Sequence, residues 1–233
     1  MSTQSLYKIT DYTDFPTSCS RRWEDIYQRL ESPIVFPQIV DLHLIRHAQT
    51  ETNAKKLITG SLNVELTQQG EAQAKSLGFK LDPHYQIGFC SHLHRSQRTL
   101  ALAVEQGQVR VDEIFKDPRL NERTLGVLEG QKFHWIPEYE AGDLNYAPEN
   151  GESYREVSRR ILAFLIDLAD QIINQRVNKI LISGHMGPMR IMVGILENRE
   201  DASDVMGLSF PNAEVLKFRW SELKLPRFLQ DSH

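Results

Sequence analysis

Two apolar runs in this chain stop on a histidine. Val40 to Ile45 is followed by Arg46-His47, and Lys179 to Ser183 is followed by Gly184-His185. A short apolar run bounded by polar residues reads as a buried strand. Strands of this kind pair in parallel sheets covered by helices on both faces. The rim at the carboxyl ends of the strands is where such a sheet meets its ligands. Both histidines are therefore predicted at one rim. Gly184 and Gly187 flank the second histidine and let backbone approach a ligand closely.

The rest of the chain alternates in the same way. Helical spacing covers Thr67 to Lys80, with Thr67 as N-cap, then Leu93 to Glu105, Gly151 to Gln175 and Met189 to Leu196. Strand character covers Gln86 to Cys90, Val109 to Phe115 and Ala213 to Phe218. This alternation predicts a three-layer α/β/α sandwich on a mostly parallel central sheet. Residues 39–233 are expected to form that domain. Residues 1–38 are more polar, end in the Pro33 to Pro37 segment, and are expected to be an N-terminal extension packed on it. Arg22 to Leu30 within them reads as a short amphipathic helix with Trp23, Ile26, Tyr27 and Leu30 on one face. A flap over a site or an oligomer contact is the alternative reading of that extension.

A net charge of −4 and an isoelectric point near 6.1 argue against a nucleic-acid-binding surface. No run approaches the length of a membrane span, and the first residues lack a signal-peptide pattern. Cys19 and Cys90 stand far apart and in no metal-type spacing, which points to a reducing compartment. A cytoplasmic location is expected, with no membrane partner and with a homodimer left open.

Four strand ends carry reactive groups. Arg46 and His47 follow the first run. His92, His94, Arg95 and Arg98 open the helix after Cys90. Glu122 follows the strand ending near Phe115, and His185 follows Ser183. A neutral imidazole is a nitrogen nucleophile that can accept a phosphoryl group. Arginine forks neutralise phosphate oxygens. A carboxylic acid can protonate a poor leaving group. The inventory suits a phosphomonoester. Nearby arginines should hold His47 below the usual histidine range.

These segments resemble the histidine phosphatase superfamily, also called the phosphoglycerate mutase-like family. Its opening motif is Arg-His-Gly-Glu-Thr-x-x-Asn, and this chain has Arg46-His47-Ala48-Gln49-Thr50-Glu51-Thr52-Asn53. Gly60, Leu66-Thr67-x-x-Gly70, Ser91-x-Leu93-x-Arg95, Leu120-x-Glu122-x-x-x-Gly126-x-x-Glu129-Gly130, Gly151-Glu152-Ser153-Tyr154 and Ser183-Gly184-His185 follow in the family's order, and the similarity spans residues 40 to about 218. The resemblance implies a phosphoglycerate mutase-like fold and a phosphohistidine intermediate. It implies His47 as nucleophile and Glu122 as proton donor, with Arg46, Arg95 and His185 around the phosphoryl group and Asn53 as a further donor. No metal and no cofactor is implied.

Ala48 and Gln49 depart from the family's Gly-Glu. Ala48 is tolerated if its backbone does not need a positive φ, and Gln49 keeps an acceptor oxygen while losing a charge. Mutases of the family grip a substrate carboxylate with an Arg next to the acid and a Tyr beyond. Arg123 is present, but Thr124-Leu125 replaces the aromatic part. The phosphatase branch is therefore expected, acting on a small phosphorylated substrate. Mutase-type transfer and a non-catalytic phosphate-binding protein are the alternatives. Gln131 to Asn150 is expected to form a lid over the leaving group, its aromatics stacking on a ring or forming a small core of their own. His43 is expected in the core, Arg98 in an ion pair, and Arg21-Arg22 in solvent.

Overall fold

The computed structural model describes residues 13–14, 21–133 and 137–230. Its sheet contains β1 (Thr13–Asp14), β2 (Ile34–Arg46), β3 (His84–Cys90), β4 (Arg110–Lys116), β5 (Lys179–Gly184) and β6 (Val215–Leu223), in the spatial order β1-β4-β3-β5-β2-β6. All neighbours pair in parallel except β2 and β6. The helices are α1 (Trp23–Arg29), α2 (Glu51–Ala54), α3 (Gln68–Leu77), α4 (His94–Gly107), α5 (Pro137–Glu140), α6 (Tyr154–Gln175), α7 (Met186–Leu196) and α8 (Ala202–Gly207). The expected three-layer α/β/α sandwich is what forms.

Burial on both faces explains the near-continuous apolar strands. Side chains alternate across a strand. Leu42 and Leu44 of β2 and Ile180 and Ile182 of β5 pack in one core with Val157, Ile161, Leu165 and Leu168 of α6. Ile45 and Leu181 face the opposite way, toward Leu77 of α3 and Leu100, Ala103 and Val104 of α4. β2 and β5 are neighbours although more than a hundred residues separate them, and Arg46 lies beside Gly184 in the register. The chain leaves β2 toward α3 on one face and leaves β5 into α7 on the other. Their carboxyl ends therefore flank the crevice where such sheets bind ligands.

Several boundaries differ from those expected. β2 begins at Ile34, because its first residues pair with β6 across a register shift between Val35 and Val40. Pro37, which lacks an N–H, lies within that irregularity. α6 starts at Tyr154, where Ser153 caps it: the Ser153 hydroxyl accepts from Glu156 N at 3.2 Å, and the Glu156 carboxylate accepts from Ser153 N at 2.8 Å. α7 starts at Met186, directly after His185. β6 starts at Val215, after Ala213 at φ +57°, and runs on to Leu223. The helix expected at Arg22 to Leu30 is α1, and its Ile26 is fully buried in the main core. Arg21 corrects the expectation of a solvated pair: it bonds Asp167 of α6 at 2.7 Å, while Arg22 is exposed.

Candidate functional site

His47 is tied down on every side but one. Its N–H donates to Gly184 O at 3.0 Å, and its carbonyl accepts from the Asn212 amide at 3.0 Å. Its Nδ1 lies 2.8 Å from Ala48 O. A carbonyl can only accept, so Nδ1 carries the proton and Nε2 keeps its lone pair. The residue is 3% exposed. Burial, then the charges of Arg95 and Arg46, hold it well below the usual 6.5, so it is neutral at neutral pH. Burial acts more strongly than the arginines expected to lower it. The His185 ring lies 5.1 Å away, centroid to centroid. Its Nε2 is 2.6 Å from the Ser91 hydroxyl, and burial again is the main cause of a strongly lowered pKa.

Two arginines border this pair. Arg95, on the first turn of α4, is 1% exposed and plants its fork on Leu62 O at 2.7 Å and Gly60 O at 2.8 Å. Burial lowers its pKa to about 10, so it stays charged. Arg46, on the last residue of β2, donates to Phe210 O. Arg46 Nε, Arg95 Nε and His185 Nδ1 are buried and have no protein partner among the described residues. Unpaired buried polar atoms are costly, and two of these belong to arginine forks, the groups that bind phosphate. Asn53 joins them through Asn212, whose amide bonds both His47 O and Asn53 Oδ1. Thr50 N donates to the same Asn53 oxygen at 3.1 Å, which orients the amide and leaves its NH2 as the donor.

Glu122 completes the group. Its Oε1 accepts from Arg123 N and Gly187 N, both at 2.9 Å, leaving Oε2 without a bond from either backbone donor. A Cβ on Gly187 would lie 2.6 Å from that Oε1, so glycine is what lets α7 approach the acid. The charge of Glu122 opposes the lowering of both Arg46 and Arg95, which places it beside them. All six residues named from the sequence therefore meet at the β2/β5 crevice.

The model of the histidine phosphatase superfamily (branch 1) matches residues 42–226. This chain belongs to that superfamily. A 2,3-bisphosphoglycerate-dependent phosphoglycerate mutase of Bartonella henselae is 33% identical over 172 residues, 67% of this chain and 81% of that protein. One from Neisseria meningitidis is 30% identical over 218 residues, 77% of this chain and 94% of that protein. The solved alpha-ribazole phosphatase from Shigella flexneri aligns at a TM-score of 0.63 with 26% identity, covering 81% of this chain and 97% of that one.

The two departures from the superfamily's opening motif are absorbed locally. Ala48 is not among the residues with positive φ, and its methyl packs with Ala74 and Leu102. Its N–H is taken by Thr99 Oγ1 at 3.0 Å. Gln49 accepts the Thr67 hydroxyl on its amide oxygen at 2.8 Å, and its carbonyl accepts Thr67 N at 3.0 Å. A Cβ at Gly70 would lie 2.0 Å from that carbonyl. Gln49 thus ties the α3 N-terminus to the nucleophile loop.

Other candidates fall outside the site. His43 is buried with its Nδ1 2.6 Å from the Tyr85 hydroxyl, a core histidine as expected. Arg98 pairs with Glu71 at 2.6 Å. His92 and His94 are exposed, and His94 bonds Glu65. No group of three potential metal ligands occurs among the described residues. Cys90 is buried, which raises its thiol to about 12. His134 and Trp135, like Cys19, lie outside the described residues. Arg123 is 2% exposed and donates to Glu152 O at 2.5 Å and Tyr146 O at 3.0 Å. Sequence reasoning missed Asn212, Ser91 as the partner of His185, and the contact of Gly187 with the acid. Asn212 sits in the turn Pro211-Asn212-Ala213, with no motif to distinguish it from any other turn asparagine.

Proposed function

We propose that this chain is a phosphomonoesterase acting on a small phosphorylated metabolite through a phosphohistidine on His47. His47 Nε2 attacks phosphorus as the bond to the leaving oxygen breaks. Glu122 gives that oxygen its proton, and the alcohol departs. The ring gains positive charge, which the Ala48 carbonyl at Nδ1–H stabilises. Arg46, Arg95, Asn53 and His185 hold the equatorial oxygens, where most of the rate gain arises. Water then attacks phosphorus, Glu122 takes its proton, the phosphorus–nitrogen bond breaks, and phosphate leaves. His47 is again neutral and Glu122 again protonated.

Hydrolysis over mutation rests on Arg123. It is the arginine that would grip a substrate carboxylate, and its guanidinium is turned into the protein, onto two backbone carbonyls and over the Tyr154 ring at 4.5 Å. The second reading, mutase-type transfer, draws on the names of the relatives from Bartonella henselae and Neisseria meningitidis. One assay separates them: phosphate release across a panel of phosphorylated metabolites, beside interconversion of phosphoglycerates with and without a bisphosphoglycerate primer. Phosphate release without the primer supports the phosphatase. Primer-dependent interconversion without net hydrolysis supports the mutase, and no turnover on either arm leaves a phosphate-binding protein.

A further inference from the structure

Glu129 has no part in the chemistry above, yet three donor groups converge on it. Its Oε1 accepts from Ser61 N at 2.8 Å, from Leu125 N at 2.8 Å and from the Ser61 hydroxyl at 3.0 Å, and its Oε2 also accepts the hydroxyl at 3.0 Å. Ser61 is the residue between Gly60 and Leu62. Those two neighbours supply both carbonyls that receive the Arg95 fork. The carboxylate therefore grips the middle of the loop whose two ends set the plane of the arginine. Gly60 is shaped for this grip: it sits at φ +51°, and a Cβ there would lie 2.2 Å from Glu129 Oε1. The same carboxylate holds Leu125, three residues beyond the acid Glu122, so it ties the loop behind Arg95 to the segment behind Glu122.

We propose that Glu129 is a positioning residue for phosphoryl binding, acting through Ser61 and the Gly60 and Leu62 carbonyls to aim Arg95. The inference rests on Arg95 holding the phosphoryl group, as assigned above. A guanidinium fixed by two carbonyls presents its remaining N–H groups in one plane, and displacement of a catalytic group by about 1 Å can cost on the order of a hundredfold. A plain loop anchor would change stability without changing how well each folded molecule binds an anion.

The test measures inhibition by orthovanadate, with KM and kcat on an aryl phosphate, for wild type, E129A, E129Q, R95A and the E129A/R95A pair. All are first shown folded by thermal unfolding. E129A is expected to weaken vanadate binding and raise KM by about tenfold, the scale on which supporting residues act. E129Q, which keeps the acceptor oxygen for Ser61 and Leu125, recovers most of that loss. In the R95A background E129A adds less than about twofold, because residues acting through one group are not additive. If E129A does not fold, E129D, one methylene shorter, takes its place under the same criteria. Folded E129A with unchanged vanadate affinity, or an equal loss with and without Arg95, overturns the proposal. Unchanged affinity in R95A overturns the phosphoryl-site assignment itself, and the role of Glu129 with it.

Discussion

His43 and His47 lie four residues apart on one strand and its exit, both buried and both lowered in pKa mainly by that burial. Their company differs. His43 Nδ1 meets the Tyr85 hydroxyl, which also accepts Asp82 N at 2.9 Å, and Asp82 in turn bonds Lys179 and Lys217. Every link there ends on another protein group. Around His47 the links stop short: among the described residues, two arginines and a second histidine each keep a buried ring or guanidine nitrogen without a protein partner. Burial alone therefore does not mark a reactive histidine. Unpaired polar atoms of two arginines and a second imidazole, gathered beside a neutral ring whose lone pair is left free, do.

The contrast can be pressed from either side. On the His47 side, Glu122→Gln keeps an acceptor for Arg123 N and Gly187 N but brings no proton. It should cut turnover of alkyl phosphates by about 10²–10⁴-fold. Aryl phosphates, with better leaving groups, should lose much less. Equal losses on both would remove Glu122 from the acid role. Gly187→Ala is the milder version. Its methyl would meet Glu122 Oε1 at 2.6 Å and Arg123 Cβ at 3.2 Å. Turnover of alkyl phosphates should fall by about 10–100-fold, the scale of a misplaced catalytic group, with vanadate inhibition nearly intact. Loss of vanadate binding instead would show that the methyl disturbs the phosphoryl side.

On the His43 side, Tyr85→Phe leaves His43 Nδ1 without its partner and Asp82 N without an acceptor. The cost should be about 1–3 kcal/mol of stability, read by denaturant unfolding, with kcat per folded molecule unchanged. A change in kcat would join the two regions that the comparison separates. A further effect is with pH. His43, His47 and His185 all titrate below 6.5 in the folded chain and near 6.5 when unfolded. Below about pH 6.5 the unfolded chain therefore binds more protons, and stability falls as pH falls toward the lowered folded values. Above about pH 7.5 these groups contribute almost no slope. Thermal unfolding between pH 7.5 and 5.5 checks this, and a midpoint that rises on acidification contradicts it.

The sandwich was legible because β2 and β5 are apolar on both faces and α6 repeats its apolar positions at helical spacing. The site was legible because its chemistry sits at strand ends beside motif residues. What stayed hidden depends on pairing across the fold. The first half of β2 is interrupted by Pro37 and finds its partner only in β6, nearly two hundred residues later. Arg123 and Arg21 read as available cations until Glu152, Tyr146 and Asp167 arrive from α6 and the segment before it. The packing of the Ala48 methyl likewise required Ala74 and Leu102 to be seen around it. Period and motif are local; the partner of a buried polar group is not.

The proposed mechanism puts the phosphoryl group on His47 Nε2. Rapid mixing with a phosphorus-labelled aryl phosphate, followed by alkaline quench and peptide mapping, tests it most directly. The expected label is stable in alkali and lost in acid, as a phosphorus–nitrogen bond requires, and it sits on the peptide containing His47 and is absent from His47→Ala. A label on another residue, or turnover that persists in His47→Ala, would contradict it.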